Sequence, residues 1–260
     1  MFDTGVESTP RIRVIVDLLQ EQGRITVAEL AERTGASEMT IRRDLDQLAE
    51  QGVLRRVRGG AISLLLRGEA TPFAIRERAD TTIKDAIAAE LDSLISDGET
   101  VILDSGTTTL AVARRLARRR VTVVPLDLHA VTVLSRGPEV TLLVPGGRTL
   151  PGSLMFTGHL TALSLSALRV DTVILGACGL SVRHGLTSNS LDEVPIRQQA
   201  IGAADRRIAV CAGGKFSDAG FGLVCPAADL DMVITDDGAP AAQLAAMAQA
   251  GVEVRTVSGI

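Results

Sequence analysis

Aromatic residues and cysteines are scarce in this chain of 260 residues, which has no Trp, no Tyr, five Phe and three Cys. Binding modes that stack bases on aromatic rings, as in many single-strand nucleic-acid binders, therefore have little material to use. Cys178, Cys211 and Cys225 are widely spaced and odd in number, which gives neither a disulfide framework nor a metal-ligand cluster. We expect reduced thiols, no metal site and no cofactor.

Long apolar runs are also missing. The longest, such as residues 61–66 (AISLLL) and 172–180 (TVILGACGL), fall far short of the ~20 residues of a membrane span. The first residues include acids and a Pro where a signal peptide has a basic end and an apolar core. The sequence thus predicts a cytoplasmic protein without membrane attachment. Its net charge of -4 argues against nonspecific coating of nucleic acid and leaves room for a local basic patch.

The first 62 residues alternate short amphipathic stretches with glycines. Apolar residues at helical spacing predict three helices that stop at Gly23, Gly35 and Gly52, and Thr26 and Ser37 are suited to cap the second and third. This pattern indicates a helix-turn-helix. The next segment, VLRRVRGGAI at residues 53–62, predicts two short strands with arginines as their only charges, which is typical of a wing.

The third predicted helix contains the basic pair of the segment ASEMTIRRDL at residues 36–45. With Ile41 facing inward at 100° per residue, Leu45 and Leu48 share the core side, and Met39 and Arg43 point away from it. In a DNA-reading helix such outward residues meet base edges, and Arg can bond bidentately to guanine. The predicted DNA-binding residues, on this helix and on the wing, are Ser37, Met39, Thr40, Arg42, Arg43, Arg55, Arg56 and Arg58.

The alternative for the arginine pair is a solvated helix face with intrahelical pairs, such as Arg42 with Asp46 or Arg43 with Gln47. Residues 1–62 hold nine Arg and ten acidic residues, so bulk charge does not favour DNA binding. The distribution of charge does, because the wing has three Arg and no acid.

From residue 83 the chain alternates apolar strands with helices, which predicts an α/β fold with a parallel sheet. We assign a winged helix-turn-helix to residues 1–62, a linker to 63–76 and an α/β effector-binding domain to 77–260. In the segment LDSGTTTLAV a strand ends at Asp104, Gly106 permits a tight turn and threonines open a helix, which is suited to bind an anion such as phosphate. The other reading of this segment is an ordinary strand-helix turn.

Further glycines and cations follow other strands and should lie at the same carboxyl edge, where open α/β folds bind ligands. Each of them alone has a simpler interpretation, a plain turn for the glycines and a solvated loop lysine for Lys215. Together they predict a site for a small phosphorylated ligand, with these candidate residues: Asp104, Ser105, Gly106, Thr107, Thr108, Gly146, Gly147 and Lys215.

The run GRITVAELAERTGASEMTIRRDLDQLAEQGVLRRVRGGA resembles the N-terminal module of DeoR-family transcriptional regulators. Downstream, PFAIRERADTTIKDAIAAEL, DSGTTT, PGG, HGLTS and GGKF resemble that family's segments in the family's order. The resemblance covers nearly the whole chain. It implies a ribose-phosphate-isomerase-like α/β sensor domain, and a homo-oligomer, dimer or tetramer, that binds double-stranded operator DNA. It also implies repression of carbohydrate-metabolism genes relieved by a phosphorylated effector.

Two positions depart from the family's pattern. Pro125-Leu126 stand where a Thr-Asn pair is usual, and Ala212-Gly213-Gly214 precede Lys215 where Asp-x-Ser is usual. The part of the site that would recognise sugar hydroxyls is therefore altered, and the sequence leaves open the effector, the operator and the sign of regulation. Two alternatives remain: a constitutive DNA-binding protein with a vestigial sensor, and a DNA-tethered sugar-phosphate isomerase that would use Asp104, Asp127, Glu193 or Lys215. Because no paired carboxylate or nucleophile-base spacing stands out, we expect no catalysis.

Overall fold

The computed structural model describes residues 8–50, 53–63 and 73–259. The chain divides into two compact units, residues 1–79 and 80–260. In the first unit the helices and strands are α1 Ser8–Gln22, β1 Arg24–Thr26, α2 Val27–Thr34, α3 Glu38–Glu50, β2 Leu54–Val57, β3 Gly60–Ser63 and α4 Phe73–Arg78.

Local sequence signals place the ends of α2 and α3. The Thr26 hydroxyl accepts a hydrogen bond from the N–H of Glu29 at 3.2 Å, and Gly35 ends α2 in the left-handed region at φ 68°. Ser37 caps α3, since its hydroxyl accepts from the N–H of Thr40 at 3.2 Å. Such caps satisfy N–H groups that have no partner within the helix. The three predicted helices and their order are confirmed.

The wing has one strand more than the sequence predicted. β2 and β3 form the expected antiparallel hairpin, and β1, between α1 and α2, pairs antiparallel with the other side of β3. The strand β1 has only three residues, too few to show in the sequence the alternation of apolar and polar residues that indicates a strand. The predicted linker at 63–76 is described only at its ends, where Ser63 closes β3 and Phe73 opens α4, and residues 64–72 lie outside the described part.

The second unit is an α/β domain with a seven-stranded sheet in the order β15-β14-β12-β9-β4-β5-β6, parallel throughout. Its elements are α5 Thr81–Leu94, β4 Thr100–Leu103, α6 Thr107–Leu116, β5 Thr122–Pro125, α7 Leu128–Leu134, β6 Thr141–Leu142, β7 Arg148–Thr149, β8 Phe156–Thr157, α8 His159–Ser166, β9 Val170–Gly176, β10 Gly179–Ser181, β11 Gly185–Ser188, α9 Val194–Ala203, β12 Ala204–Val210, β13 Gly222–Cys225, β14 Met232–Asp236, α10 Ala241–Gln249 and β15 Glu253–Val257, with 3₁₀ turns at Gly213–Phe216 and Ala227–Asp229.

The predicted α/β class is confirmed, with differences in detail. The strand β6 at the sheet edge has only two residues. Two further sheets were not predicted: the hairpin β7-β8 and the antiparallel trio β10-β11-β13. No helix within the described residues has the length and apolar character needed to cross a membrane.

Candidate functional site

The face of α3 that the sequence predicted to read DNA is exposed. Ile41, Leu45 and Leu48 are fully buried on the opposite face, which confirms the predicted helical phase. Met39 is 74% exposed, and Arg43 is exposed as well. Ser37 and Thr40 share a hydrogen bond between hydroxyl oxygens 2.9 Å apart at the start of the helix. The exposed face therefore combines an apolar group with cations and hydroxyls.

Arg42 is the one member of the pair with an intrahelical ion pair among the residues described here. Its Nη2 lies 3.0 Å from the Glu38 carboxylate, and both side chains are more than half exposed. The partner suggested by the sequence, Asp46, instead contacts Arg56. An exposed pair of this kind contributes little to stability, so Arg42 can exchange Glu38 for another anion at small cost.

Asp44, inside the TIRRDL segment, was not singled out by the sequence. Its carboxylate is buried and accepts from Nε and Nη2 of Arg11 on α1, at 2.6 and 3.2 Å. In the sequence, Asp44 follows two arginines and has the appearance of an exposed charge. Only the position of α1 in the fold shows that it is buried. The pair fixes α3 against α1 and thereby orients the exposed face.

The three wing arginines occupy different positions. Arg56 is held by the Asp46 carboxylate at 2.8 Å and by the Gly60 carbonyl at 3.1 Å. Arg55 and Arg58 are exposed. The wing thus presents two exposed cations beside a third that joins it to α3.

In the second unit, the strand order reverses between β4 and β9. The chain runs from β4 to β5 and β6 on one side, and from β9 to β12, β14 and β15 on the other. Open α/β sheets bind ligands outside the carboxyl ends of the strands at such a reversal. The predicted loop at residues 104–108 follows β4 and lies at this point.

Residues 104–109, which we call the threonine loop, lead directly into α6. The Thr109 hydroxyl donates to the Gly106 carbonyl at 3.0 Å, and Thr107 is buried while Thr108 is half-buried. The first N–H groups of a helix have no intrahelical acceptor, and the helix dipole is positive at this end. The loop therefore has the geometry of an anion-binding helix start.

Four polar side chains form a buried network at the reversal, which we call the switch-point cluster: Asp104, Ser188, Glu193 and Arg197. Arg197 Nε lies 3.1 and 3.0 Å from the two Asp104 oxygens, and its Nη2 lies 3.3 Å from Glu193. Asp104 also accepts from the Gly176 N–H at 3.0 Å, and Ser188 donates to Glu193 at 3.0 Å. The cluster joins the ends of β4, β9 and β11 to α9.

Burial and charge act against each other within this cluster. Burial raises the pKa of Asp104, and the attraction of Arg197 opposes that rise. Burial by itself would lower the pKa of Arg197, but the charges of Asp104 and Glu193 outweigh it and raise the pKa above its usual value. The guanidinium therefore stays charged.

Asp127 is a second buried acid beside the threonine loop. Its carboxylate caps α7 by accepting from the Ala130 N–H at 2.7 Å. Burial raises the pKa of Asp127, while hydrogen bonds from Ala130, Ser105 and Gly106 oppose the rise. Since Ser105 and Gly106 lie at the start of α6, a negative charge on Asp127 works against an anion bound there.

The remaining predicted residues lie further along the edge. Gly146 and Gly147 follow β6, two strands from β4, and the Gly146 carbonyl accepts from the Thr161 hydroxyl at 2.7 Å. Lys215 follows β12, two strands from β4 on the other side, with its Nζ 3.5 Å from Asp218. The structure thus places the candidates on one edge and gathers only residues 104–108 at the reversal.

Arg197 is the residue at this site that the sequence reasoning missed. It lies next to Ile196 and one turn before Ala200, on a helix face that is otherwise apolar and buried. An Arg within the buried stripe of a helix requires a partner charge, and that phase was legible in the sequence.

Comparisons with known families match both units. The family described as "DeoR-like helix-turn-helix domain" matches residues 11–65, and "DeoR C terminal sensor domain" matches residues 79–237.

Individual relatives extend over most of the chain. The uncharacterized HTH-type transcriptional regulator YgbI of Escherichia coli (strain K12) is 32% identical over 88% of this chain and 90% of its own. The transcriptional repressor AccR of Agrobacterium fabrum is 33% identical over 86% and 88%. Among solved structures, ribose 5-phosphate isomerase A of Methanocaldococcus jannaschii covers 53% of this chain and 55% of its own, with 16% identity and a TM-score of 0.40.

Proposed function

The chain belongs to the DeoR family of transcriptional regulators, and on that premise we propose that it represses carbohydrate-metabolism genes until a phosphorylated sugar or related metabolite releases it from DNA. DNA binding and the regulation of transcription are properties of this family. We further propose that this chain acts as a repressor, that its effector is a phosphorylated metabolite and that it works in the cytoplasm.

DNA recognition is assigned to the exposed face of α3 and to the wing. Met39 and Arg43 lie opposite the buried Ile41, and Arg42 lies on the flank. All three side chains are exposed, and this exposure is the observation that supports the assignment best. Arg43 is suited to contact base edges in the major groove, while Arg55 and Arg58 are suited to phosphates. Ser37 and Thr40 open the helix where base contacts are usually made.

Effector binding is assigned to the threonine loop at the reversal between β4 and β9. A helix start at that place in the sheet suits a phosphate group. Lys215, Gly146 and Gly147 lie two strands to either side of β4 and would meet the rest of a larger ligand.

Release requires two copies of the chain, since one recognition helix covers only a half-site. A ligand can shift the balance between two subunit arrangements only if it binds one more tightly than the other. We propose that the effector favours an arrangement in which the two α3 helices no longer match the operator spacing.

The alternatives have less support. YgbI and AccR, which match most of this chain, are named as a transcriptional regulator and a transcriptional repressor, so we propose no isomerase activity. A vestigial sensor would fit the charge of Asp127 beside the threonine loop. It would not account for a buried, paired cluster at the strand ends.

The test starts from an operator selected out of random double-stranded DNA by the purified full chain. The complex is then challenged with a panel of sugar phosphates, each matched by its unphosphorylated sugar. Release by a phosphorylated compound alone is expected. If the complex survives the whole panel at millimolar concentration, the vestigial sensor is the better account, and failure to select any sequence would overturn DNA recognition.

A further inference from the structure

The guanidinium of Arg197 has one nitrogen that the switch-point cluster does not use. Nε faces Asp104 and Nη2 faces Glu193, whereas Nη1 has no hydrogen-bond partner among the residues that the structure describes. The side chain is only 4% exposed. A buried, charged donor without an acceptor is costly, so its presence requires an explanation.

We propose that Arg197 donates a hydrogen bond from Nη1 to the effector, and that only an uncharged oxygen, a hydroxyl or a carbonyl, fits there. This inference rests on the proposed effector-binding function and adds the chemistry at the end of the ligand away from the phosphate. It also supplies a donor at a site where the altered residues 125–126 and 212–214 remove the family's usual polar groups.

The charge around Arg197 determines what kind of oxygen fits. Asp104 and Glu193 already lie 3.0 and 3.3 Å from the guanidinium, so two carboxylates face one cation. A third anionic group at Nη1 would be repelled by both acids. A hydroxyl or carbonyl oxygen accepts the hydrogen bond without adding charge.

The position of Arg197 fits a ligand whose phosphate lies at the start of α6. Its partner Asp104 precedes Thr107 by three residues, which separates their positions by at most roughly 11 Å. A pentose or hexose phosphate can bridge such a distance, with its phosphate on the threonine loop and its sugar oxygens toward Arg197. The sugar would lie against the ends of β4 and β9, near Gly176 and the half-buried Cys178.

The variant Arg197→Lys tests this assignment in the full chain. Lysine keeps a cation between the two carboxylates and lacks a nitrogen at the Nη1 position. The control is Arg206→Lys, because Arg206 is another ion-paired arginine of this unit, 2.7 Å from Glu99 beside the amino end of β4. Isothermal titration calorimetry is run with two probes, inorganic phosphate and the tightest-binding sugar phosphate of the panel.

We expect Arg197→Lys to raise the Kd of the sugar phosphate about tenfold or more and to leave that of inorganic phosphate within about twofold. Arg206→Lys should change neither Kd. Equal weakening of both probes, or of neither, would overturn the role of Arg197 and leave the sensor function standing. If no sugar phosphate binds the unaltered chain, the proposed function fails, and this inference fails with it.

A crystal structure of the unaltered chain with the same sugar phosphate provides a second test that does not depend on the variant folding. An uncharged ligand oxygen within hydrogen-bonding distance of Nη1 is expected. A bound ligand whose phosphate contacts Nη1, or whose sugar turns away from Arg197, would contradict the assignment.

Discussion

Arg56 in the wing donates from Nε to the Asp46 carboxylate of α3 across 2.8 Å. One ion pair therefore joins α3 and the wing, the two elements to which we assign DNA binding. The pair sets Arg56 apart from Arg55 and Arg58, which are exposed on either side of it in the sequence. It also suggests that the arginines of the wing differ in what they contribute to binding.

Removing Arg55 or Arg58 should weaken binding to every DNA sequence and lower the slope of log K against log salt by about one for each lost phosphate contact. Arg56→Ala should lower the slope less, because Asp46 already neutralises Arg56. Filter binding between about 50 and 200 mM salt measures these slopes. A larger loss of slope for Arg56→Ala than for Arg58→Ala would contradict the assignment.

The double variant Arg42→Ala/Arg43→Ala should remove discrimination between the operator and random DNA. Each lost bidentate contact to a base costs about 1–3 kcal/mol of discrimination. The control Arg118→Ala/Arg120→Ala deletes the same charge from two exposed arginines of the second unit. Competition binding measures the ratio of operator to random affinity, and a ratio kept by the α3 variant would show that the helix does not read sequence.

Asp44→Ala should destabilise the first unit by about 1–3 kcal/mol, because it removes the carboxylate that accepts two hydrogen bonds from Arg11. The matched variant Asp46→Ala removes an acid that is 63% exposed and should cost less than about 1 kcal/mol. Hydrogen exchange of the α1 and α3 amides in the full chain reports both values. Equal protection in the two variants would indicate that Asp44 does not anchor α3.

Asp127→Asn should bind phosphorylated ligands about tenfold more tightly at pH 7, equivalent to about 1.4 kcal/mol. Asparagine caps a helix about as well as aspartate, so α7 should persist. The effect depends on pH, because the pKa of Asp127 is raised by burial. In the unaltered chain a falling pH protonates this acid and removes the charge beside α6, which strengthens phosphate binding.

The same pKa shift makes the fold more stable at low pH, as it makes phosphate binding tighter there. Because the folded chain holds this proton more tightly than the unfolded chain, Asp127 stabilises the fold fully below the ordinary pKa of 3.8, and that contribution is lost as the pH rises through the folded value. The pH dependence that Asp127 gives to ligand affinity should vanish in Asp127→Asn. Calorimetry with inorganic phosphate from pH 4 to 7, run on both proteins, isolates the contribution of Asp127 to this pH dependence. The ionisation of the phosphate is the same in both and cancels in the comparison.

The elements that local patterns specify were predictable from the sequence. The helix caps at Thr26 and Ser37, the inward phase of Ile41 and the strand-loop-helix at residues 100–116 follow from spacing and turn chemistry over a few residues. The strand β1 was missed because its pairing with β3 is set by residues almost forty positions away.

Long-range pairs explain the other omissions. Arg11 and Asp44 are 33 residues apart, and Arg197 and Asp104 are 93 apart. The sequence can show a charge within the buried stripe of a helix, as at Arg197, but only the tertiary fold shows which distant charge it pairs with. Sequence reasoning therefore located the threonine loop but not the cluster beneath it.

The separation of Asp104 from Arg197 also bears on the order in which the chain is made. The core of the DNA-reading unit uses buried residues from Ile12 to Ile75, all of them synthesised by the time the ribosome reaches residue 79. The switch-point cluster cannot form until Arg197 has been synthesised, which is 118 residues after residue 79 (197 − 79). At translation rates of about 5–20 residues per second, that delay is on the order of ten seconds. The ribosome therefore finishes the residues of the DNA-binding unit well before those of the switch-point cluster in the sensor unit.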